Sequence, residues 1–289
     1  MRVGWERQTD DPWQNYERFG RASRDAIVEA LPADWTWDGK RVLDFGCGAG
    51  RTLRHFIAEA RAGEFYGCDI DEPSIEWLRE HLPQFQVFAN PERPRPPLDL
   101  PDRSFDLIYA VSVFTHLTSA WSAWALQLRR LLRPDGLLLA TFIFPGWDPA
   151  LLPPGVIVGG LDENRTGMNA IGLGRPAAQG GPLIFHSRWW LRAHWGRAFE
   201  ILRIVDTGFR WRQDHGYALM RPTAGDVSTA DLEAPEPDEL REYAALQENL
   251  RQLEREQSRV WERLSHLQER QAALRERNAR LTRRLSPPS

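Results

Sequence analysis

Three glycines within five positions, Gly46, Gly48 and Gly50, follow the apolar run RVLDF and lead into RTLRHFIAEA. A backbone without Cβ atoms turns sharply and lets a ligand approach the main chain closely. Asp44 sets a carboxylate two residues before the first of these glycines. A second carboxylate, Asp69, stands nineteen residues after Gly50 at the end of EFYGCD, with Ile70 beside it. His116 lies in VFTHL, just past the run SFDLIYAVS, and an imidazole is the side chain best placed to take a proton near neutral pH. The two cysteines, Cys47 and Cys68, have neither metal-ligand spacing nor a disulfide framework. They read as small packing residues in a reducing compartment, so a cytoplasmic location is expected.

The elements that must hold these groups alternate. YERFGRASRDAIVEALP reads as a helix with Ser23 as N-cap and Pro32 as its stop. RVLDF, EFYGCDI, FQVF, SFDLIYAVSVF and LLLATFIF read as strands, separated by helical patterns at RTLRHFIAEA, PSIEWLREHL and SAWSAWALQLRRLL. Residues 145–186 are rich in glycine and proline with no apolar period, and a structureless stretch that long implies a functional loop. SRWWLRAHWGRAF then reads as a helix capped by Ser187, and EILRIVD and HGYALMR as closing strands. Strands and helices alternating on short connections imply an α/β fold, a doubly wound and mostly parallel seven-stranded sheet.

Which ligand the glycine loop takes follows from elimination. A P-loop needs a lysine that is missing, and the dinucleotide fingerprint needs glycine or alanine where Arg51 stands. A carboxylate at Asp44 suits a cationic ligand. S-adenosylmethionine fits, carrying a sulfonium and an ammonium but no phosphate, and Asp69 can accept from both hydroxyls of its ribose. On VLDFGCGAG, FYGCDIDEPSI, LPDRSFDLIYAVSVFTHL and LRRLLRPDGLLLATF, the chain resembles the class I S-adenosylmethionine-dependent methyltransferases over residues 40–221. That resemblance implies roles residue by residue. Asp44, Gly46, Cys47, Gly48 and Gly50 form the loop around the methionine part, Asp69 binds the ribose, and Ile70 packs on the adenine. Ser112 and Val113 floor the pocket. Where the family often has an acid for the adenine amino group, this chain offers Asn90.

Methyl transfer from a sulfonium is an in-line displacement in which alignment contributes ~7–11 kcal/mol, against about 3–5 kcal/mol for a general base. His116 is the candidate base for a hydroxyl acceptor, with a helix-capping or pocket-shaping role as the alternative; His186 and His215 are weaker candidates. The 145–186 loop is expected to act as a lid carrying acceptor specificity, with Asp162, Glu163, Asn164 and Arg165 either binding or forming a solvated turn. Trp189 and Trp190 suit a sugar ring or planar acceptor, or the core for at least one of them. Tyr16 and Arg24 are candidates for a flap over the cofactor. The leading expectation is O-methylation of a saccharide or glycan-related acceptor; a small-molecule natural-product O- or N-methyltransferase and an inactive oligomerising scaffold are the rivals.

Net charge is −3, with 37 basic against 40 acidic residues, which gives no general attraction for nucleic acid. The N-terminus is too polar for a signal peptide, and no apolar run approaches the ~20 residues of a membrane span. The expected domain plan is a helical cover over 1–39, the methyltransferase domain over 40–221, a linker over 222–237 and a coiled coil over 238–286. In the last segment the d positions Leu246, Leu253, Val260, Leu267, Leu274 and Leu281 are all aliphatic, and the a positions mix Tyr243, Leu250, Leu264 and Leu285 with Gln257, Gln271 and Asn278. Such a register predicts a homodimer through a two-stranded coil, parallel despite Arg270 facing Arg275 of the partner.

Overall fold

The structure, a computed structural model, describes residues 11–92, 97–146, 162–172, 181–209 and 215–285. β1 (Arg41–Phe45), β2 (Glu64–Asp69), β3 (Gln86–Ala89), β4 (Phe105–Ala110) and β5 (Leu132–Phe142) are parallel. β6 (Met168–Ile171) and β7 (Leu183–His186) form a separate antiparallel pair. β8 (Phe199–Phe209) and β9 (His215–Pro222) complete the main sheet, β9 lying antiparallel to both β5 and β8. The order β3-β2-β1-β4-β5-β9-β8 reverses direction between β1 and β4, the crevice where doubly wound sheets bind ligands.

Helices α1 (Pro12–Ala30), α2 (Glu72–His81), α3 (Trp121–Leu131) and α4 (Arg188–His194) cover both faces, which is why the parallel strands are mostly apolar. Alternate residues serve the two faces. Leu43, Phe45, Ile108 and Leu138 pack toward α3 and α4, while Val42, Leu107, Tyr109 and Leu139 pack toward α1 and α2. Much of the chain's tryptophan sits in the first of these layers, where Trp121 stacks on Trp195 with centroids 5.9 Å apart. Close approach shapes the second: a Cβ on Gly20 of α1 would lie 2.0 Å from the Arg51 carbonyl oxygen, so α1 rests directly on the segment after the glycine loop.

Several expectations need correction. α1 is capped by Asp11, whose carboxylate accepts from Gln14 N–H, and Ser23 lies buried in mid-helix. RTLRHFIAEA forms two short 3-10 turns, Leu53–Phe56 and Glu59–Arg61, rather than an α-helix. Arg54 ties down the carbonyls of Ala49 and Gly50 there, and His55 N–H bonds only three residues back. The stretch 145–186 is not structureless: it supplies β6 and β7, and β7 reaches the main body through Ile184 N–H to the Thr115 carbonyl. The rest of the expected lid, residues 147–161 and 173–180, lies outside the described residues. The expected linker contains α5 (Thr229–Glu233), capped reciprocally by Ser228 and Asp231, with Leu232 fully buried.

The final helix, α6 (Leu240–Leu285), has 46 residues, a length of about 69 Å. Its heptad stripe stands away from the body: Tyr243, Leu246, Leu250, Leu253, Val260, Leu264, Leu267 and Leu274 are 42–66% exposed. A different face docks. Ala245, Glu248 and Gln252 are buried, and Gly167 comes so close that a Cβ there would meet Ala245 Cβ at 3.0 Å. No described helix is long and apolar enough to cross a membrane.

Candidate functional site

At the carboxyl ends of β1 and β4 lies a cleft of about 430 Å³. Gly46, Asp69, Ile70, Asn90, Ser112, Val113 and His116 all line it, so most of the residues singled out in the sequence converge on one place. Asp44, in β1, and Cys47, Gly48 and Gly50, in the turn that follows it, do not line the cleft.

The turn is built by the glycines. Gly46, Gly48 and Gly50 take φ of +83°, +52° and +73°, a region L side chains rarely adopt. A Cβ on Gly46 would lie 2.3 Å from Val113 Cγ2, so this glycine is also what lets β1 and β4 close the cleft floor. At Gly48 a Cβ would meet nothing within 4 Å. Asp69 holds the turn in place: Gly48 N–H donates to its Oδ2 at 2.7 Å and Asp71 N–H to its Oδ1 at 2.9 Å. Gly46 and Cys47 N–H both donate to the Cys68 carbonyl, at 2.8 and 3.0 Å.

Among the described residues, the buried oxygens of this region without a partner include one each on Asn90 and Asp44. Asn90 donates through Nδ2 to the Pro91 carbonyl, but its Oδ1 is unsatisfied. Asp44 is 2% exposed and its Oδ2 is likewise unsatisfied. Burial pushes the Asp44 carboxyl up to about 8; nearby Asp69 adds to this, and the Tyr109 hydroxyl, close by but outside hydrogen-bonding geometry, opposes it. Burial also raises both cysteine thiols, as suits inert packing residues. Ile70 is 51% exposed, an apolar side chain left open at the cleft.

His116 Nδ1 lies 2.7 Å from the Pro182 carbonyl. A carbonyl only accepts, so the neutral ring carries its proton on Nδ1 and Nε2 is its acceptor nitrogen. Ser112, at φ +59°, receives 3.0 Å contact from His215 Nε2, while its N–H donates to Thr141 Oγ1. The cleft is completed by residues that the sequence did not single out: Phe45, Glu92, Leu117, Thr118, Ser119, Ala120 and Trp124. Thr118 and Ser119 directly follow the His116 motif, which is the signal that could have found them.

Other expected site residues lie elsewhere. Trp189 and Trp190 are both buried, and neither lines the cleft. Two adjacent helical positions are covered because Trp189 meets Glu163 and Arg241 on one side while Trp190 stacks on His194 on the other. His186 is 1% exposed against Phe142, and burial lowers it to about 3, so it stays neutral inside the core. Glu163 caps α4 through Arg188 and Trp189 N–H. Asp162 closes its own turn by accepting from Asn164 and Arg165 N–H. Arg24 pairs with Glu59 and Asp25, and Tyr16 is buried beside Arg51 and Arg54. Neither lines the cleft.

Residues 43–138 match the methyltransferase domain family. A fatty-acid O-methyltransferase of Mycolicibacterium smegmatis is 29% identical over 205 residues, covering 64% of this chain and 69% of that protein. A tRNA U34 carboxymethyltransferase of Idiomarina loihiensis is 30% identical over 139 residues, covering 43% of this chain and only 42% of that one. Among solved structures, an S-adenosylmethionine-dependent methyltransferase from Mesorhizobium loti superposes with a TM-score of 0.51 at 20% identity, over 69% of this chain and 97% of that one. Residues 43–138 thus carry a methyltransferase domain, and the chain shares the fold of an S-adenosylmethionine-dependent methyltransferase. The cleft suits the expected S-adenosylmethionine on two counts: an unsatisfied amide oxygen at Asn90 and an open apolar face at Ile70.

Proposed function

We propose that this methyltransferase O-methylates a hydroxyl-bearing acceptor of the saccharide or glycan-related class, with His116 as general base. The observation that carries the reading is the Nδ1–Pro182 bond, which leaves Nε2 as the basic nitrogen of a ring lining the cleft. S-adenosylmethionine supplies a methyl group on a sulfonium. In this reading Asp69 takes the ribose hydroxyls, Asn90 Oδ1 the adenine amino group and Ile70 the adenine face. Gly46, Cys47, Gly48 and Gly50, backed by Asp44, surround the methionine part, and Ser112 and Val113 form the floor. Transfer would break the methyl–sulfur bond and leave a neutral thioether, and His116 Nε2 would accept the proton of the acceptor hydroxyl meanwhile, so no alkoxide need form in advance.

The buried tryptophans lend the saccharide no support. Its support is the rim of the cleft, where Glu92, Thr118 and Ser119 are exposed groups able to hydrogen-bond to several hydroxyls. A second reading, esterification of a fatty carboxylate, is favoured by the mycobacterial relative. A carboxylate is already a nucleophile at neutral pH and needs no base. A labelled-methyl assay with saccharide and fatty-acid panels, run on wild type and His116→Ala, separates the two. Label entering saccharides with a ~10²–10⁴-fold loss in the variant is expected; label entering only fatty acids at an unchanged rate refutes the base and the acceptor class together. We place the enzyme in the cytoplasm and read α6 as the contact of a homodimer, a reading supported by its exposed stripe of leucines.

A further inference from the structure

The stripe of α6 that faces solvent explains only one of its faces. On the other, two side chains one heptad apart occupy the edge of β6. Asn249 Nδ2 donates to the Met168 carbonyl at 3.0 Å, and its Oδ1 accepts from Ala170 N–H at 3.3 Å. Glu256 Oε1 accepts from Gly172 N–H at 2.7 Å. In return Asn169, fully buried, donates to the Ala245 carbonyl of α6 at 3.1 Å and accepts from Gly167 N–H at 2.9 Å. At the start of the helix, Glu242 meets His194 Nε2 at 2.7 Å, while His194 Nδ1 faces the Leu232 carbonyl. A helix thus supplies to β6 the hydrogen bonds that a further strand would have supplied, and a strand edge left without them is poorly fixed.

What β6 holds is the cleft. Met168 to Ile171 pair in register with His186 to Leu183. Ile184 N–H donates to the Thr115 carbonyl at 2.8 Å, and Pro182, one residue before β7, accepts from His116 Nδ1. The path from Asn249 to the imidazole therefore runs through side-chain hydrogen bonds at its two ends and through the paired backbones of β6 and β7 between them.

We infer that the first turns of α6 are part of the catalytic domain, with Asn249 and Glu256 as positioning residues that fix His116 through β6 and β7. The inference rests on the reading of His116 as base, and its test keeps the two apart. In full-length protein, long-range proton–nitrogen spectra of the histidines report which ring nitrogen carries the proton, the His116 signal being assigned by its loss in His116→Ala. Wild type should show the proton on Nδ1. Asn249→Ala combined with Glu256→Ala should shift His116 toward a mixture of tautomers. It should also lower kcat about 10- to 100-fold, as small misplacements of a reacting group do, with cofactor affinity unchanged. Glu256→Gln, which keeps the acceptor for Gly172 N–H, should restore the wild-type tautomer when Asn249 is intact.

Unchanged tautomer and kcat in the double variant would overturn the inference, even if its melting temperature fell. If the tautomer shifts but His116→Ala methylates at the normal rate, the coupling stands and the base assignment fails.

Discussion

Replacing Asp69 by alanine removes two kinds of interaction at once, and they can be measured separately. In the free protein the carboxylate accepts from Gly48 and Asp71 N–H, at 2.7 and 2.9 Å. Asp69 is partly exposed, so water takes over much of what is lost. The expected cost is about 1–3 kcal/mol of stability, or roughly 2–12 °C in melting temperature for a domain of this size. With ligand bound, the same carboxylate would also lose two ribose hydroxyls. Hydrogen bonds to a charged group contribute ~1.5–3 kcal/mol each, so S-adenosylmethionine should bind ~10²–10⁴-fold more weakly. Asp69→Asn, which keeps an acceptor oxygen but not the charge, should fall between wild type and alanine on both measures. Calorimetric titration of the three proteins, with melting curves taken without ligand, reads both quantities. If the alanine variant melts lower yet binds within about threefold of wild type, Asp69 is an anchor for the turn only and its ribose role is refuted.

Burial pushes Asp44 from its ordinary 3.8 up to about 8, so the folded chain holds that proton more tightly than the unfolded chain does. The resulting stabilisation is complete below pH ~4 and is lost as pH rises toward ~8. Asp44→Asn should therefore melt progressively higher relative to wild type between pH ~4 and ~8, and a constant offset between the two melting profiles would refute the buried-acid assignment. Gly46→Ala should be strongly destabilising because its Cβ meets Val113, whereas Gly48→Ala, with open space around it, should cost only about 1 kcal/mol and act mainly on ligand affinity; melting and titration of both variants must show that split. The combined Leu267→Glu and Leu274→Glu change should convert a dimer to a monomer in light scattering without disturbing the docked part of α6, and a monomeric wild type at micromolar concentration would end the homodimer reading.

The sheet and most of the cleft were legible in the chain itself. Parallel strands buried on both faces must be largely apolar, and they stood out as such at RVLDF and SFDLIYA. A turn needing three residues at positive φ leaves glycines that nothing else would select, and they located the cleft. The d-position leucines likewise announced α6, because a helical stripe is a local, periodic signal.

What the sequence alone could not decide depends on neighbours distant in the chain. β6 and β7 are four residues each and carry no period long enough to register; they are strands because Thr115, Ile143 and α6 supply partners for them. Trp189 and Trp190 look like an aromatic binding surface until α6 and α3 are packed on either side. The same holds for α6, whose apolar stripe suggested where it would bind. Its polar residues Glu242, Asn249 and Glu256 hold it to the body instead, since the edge of β6 offers unpaired peptide groups. Composition and period reveal which surfaces avoid water, but a hydrogen bond between residues some 80 positions apart exists only once the chain has folded.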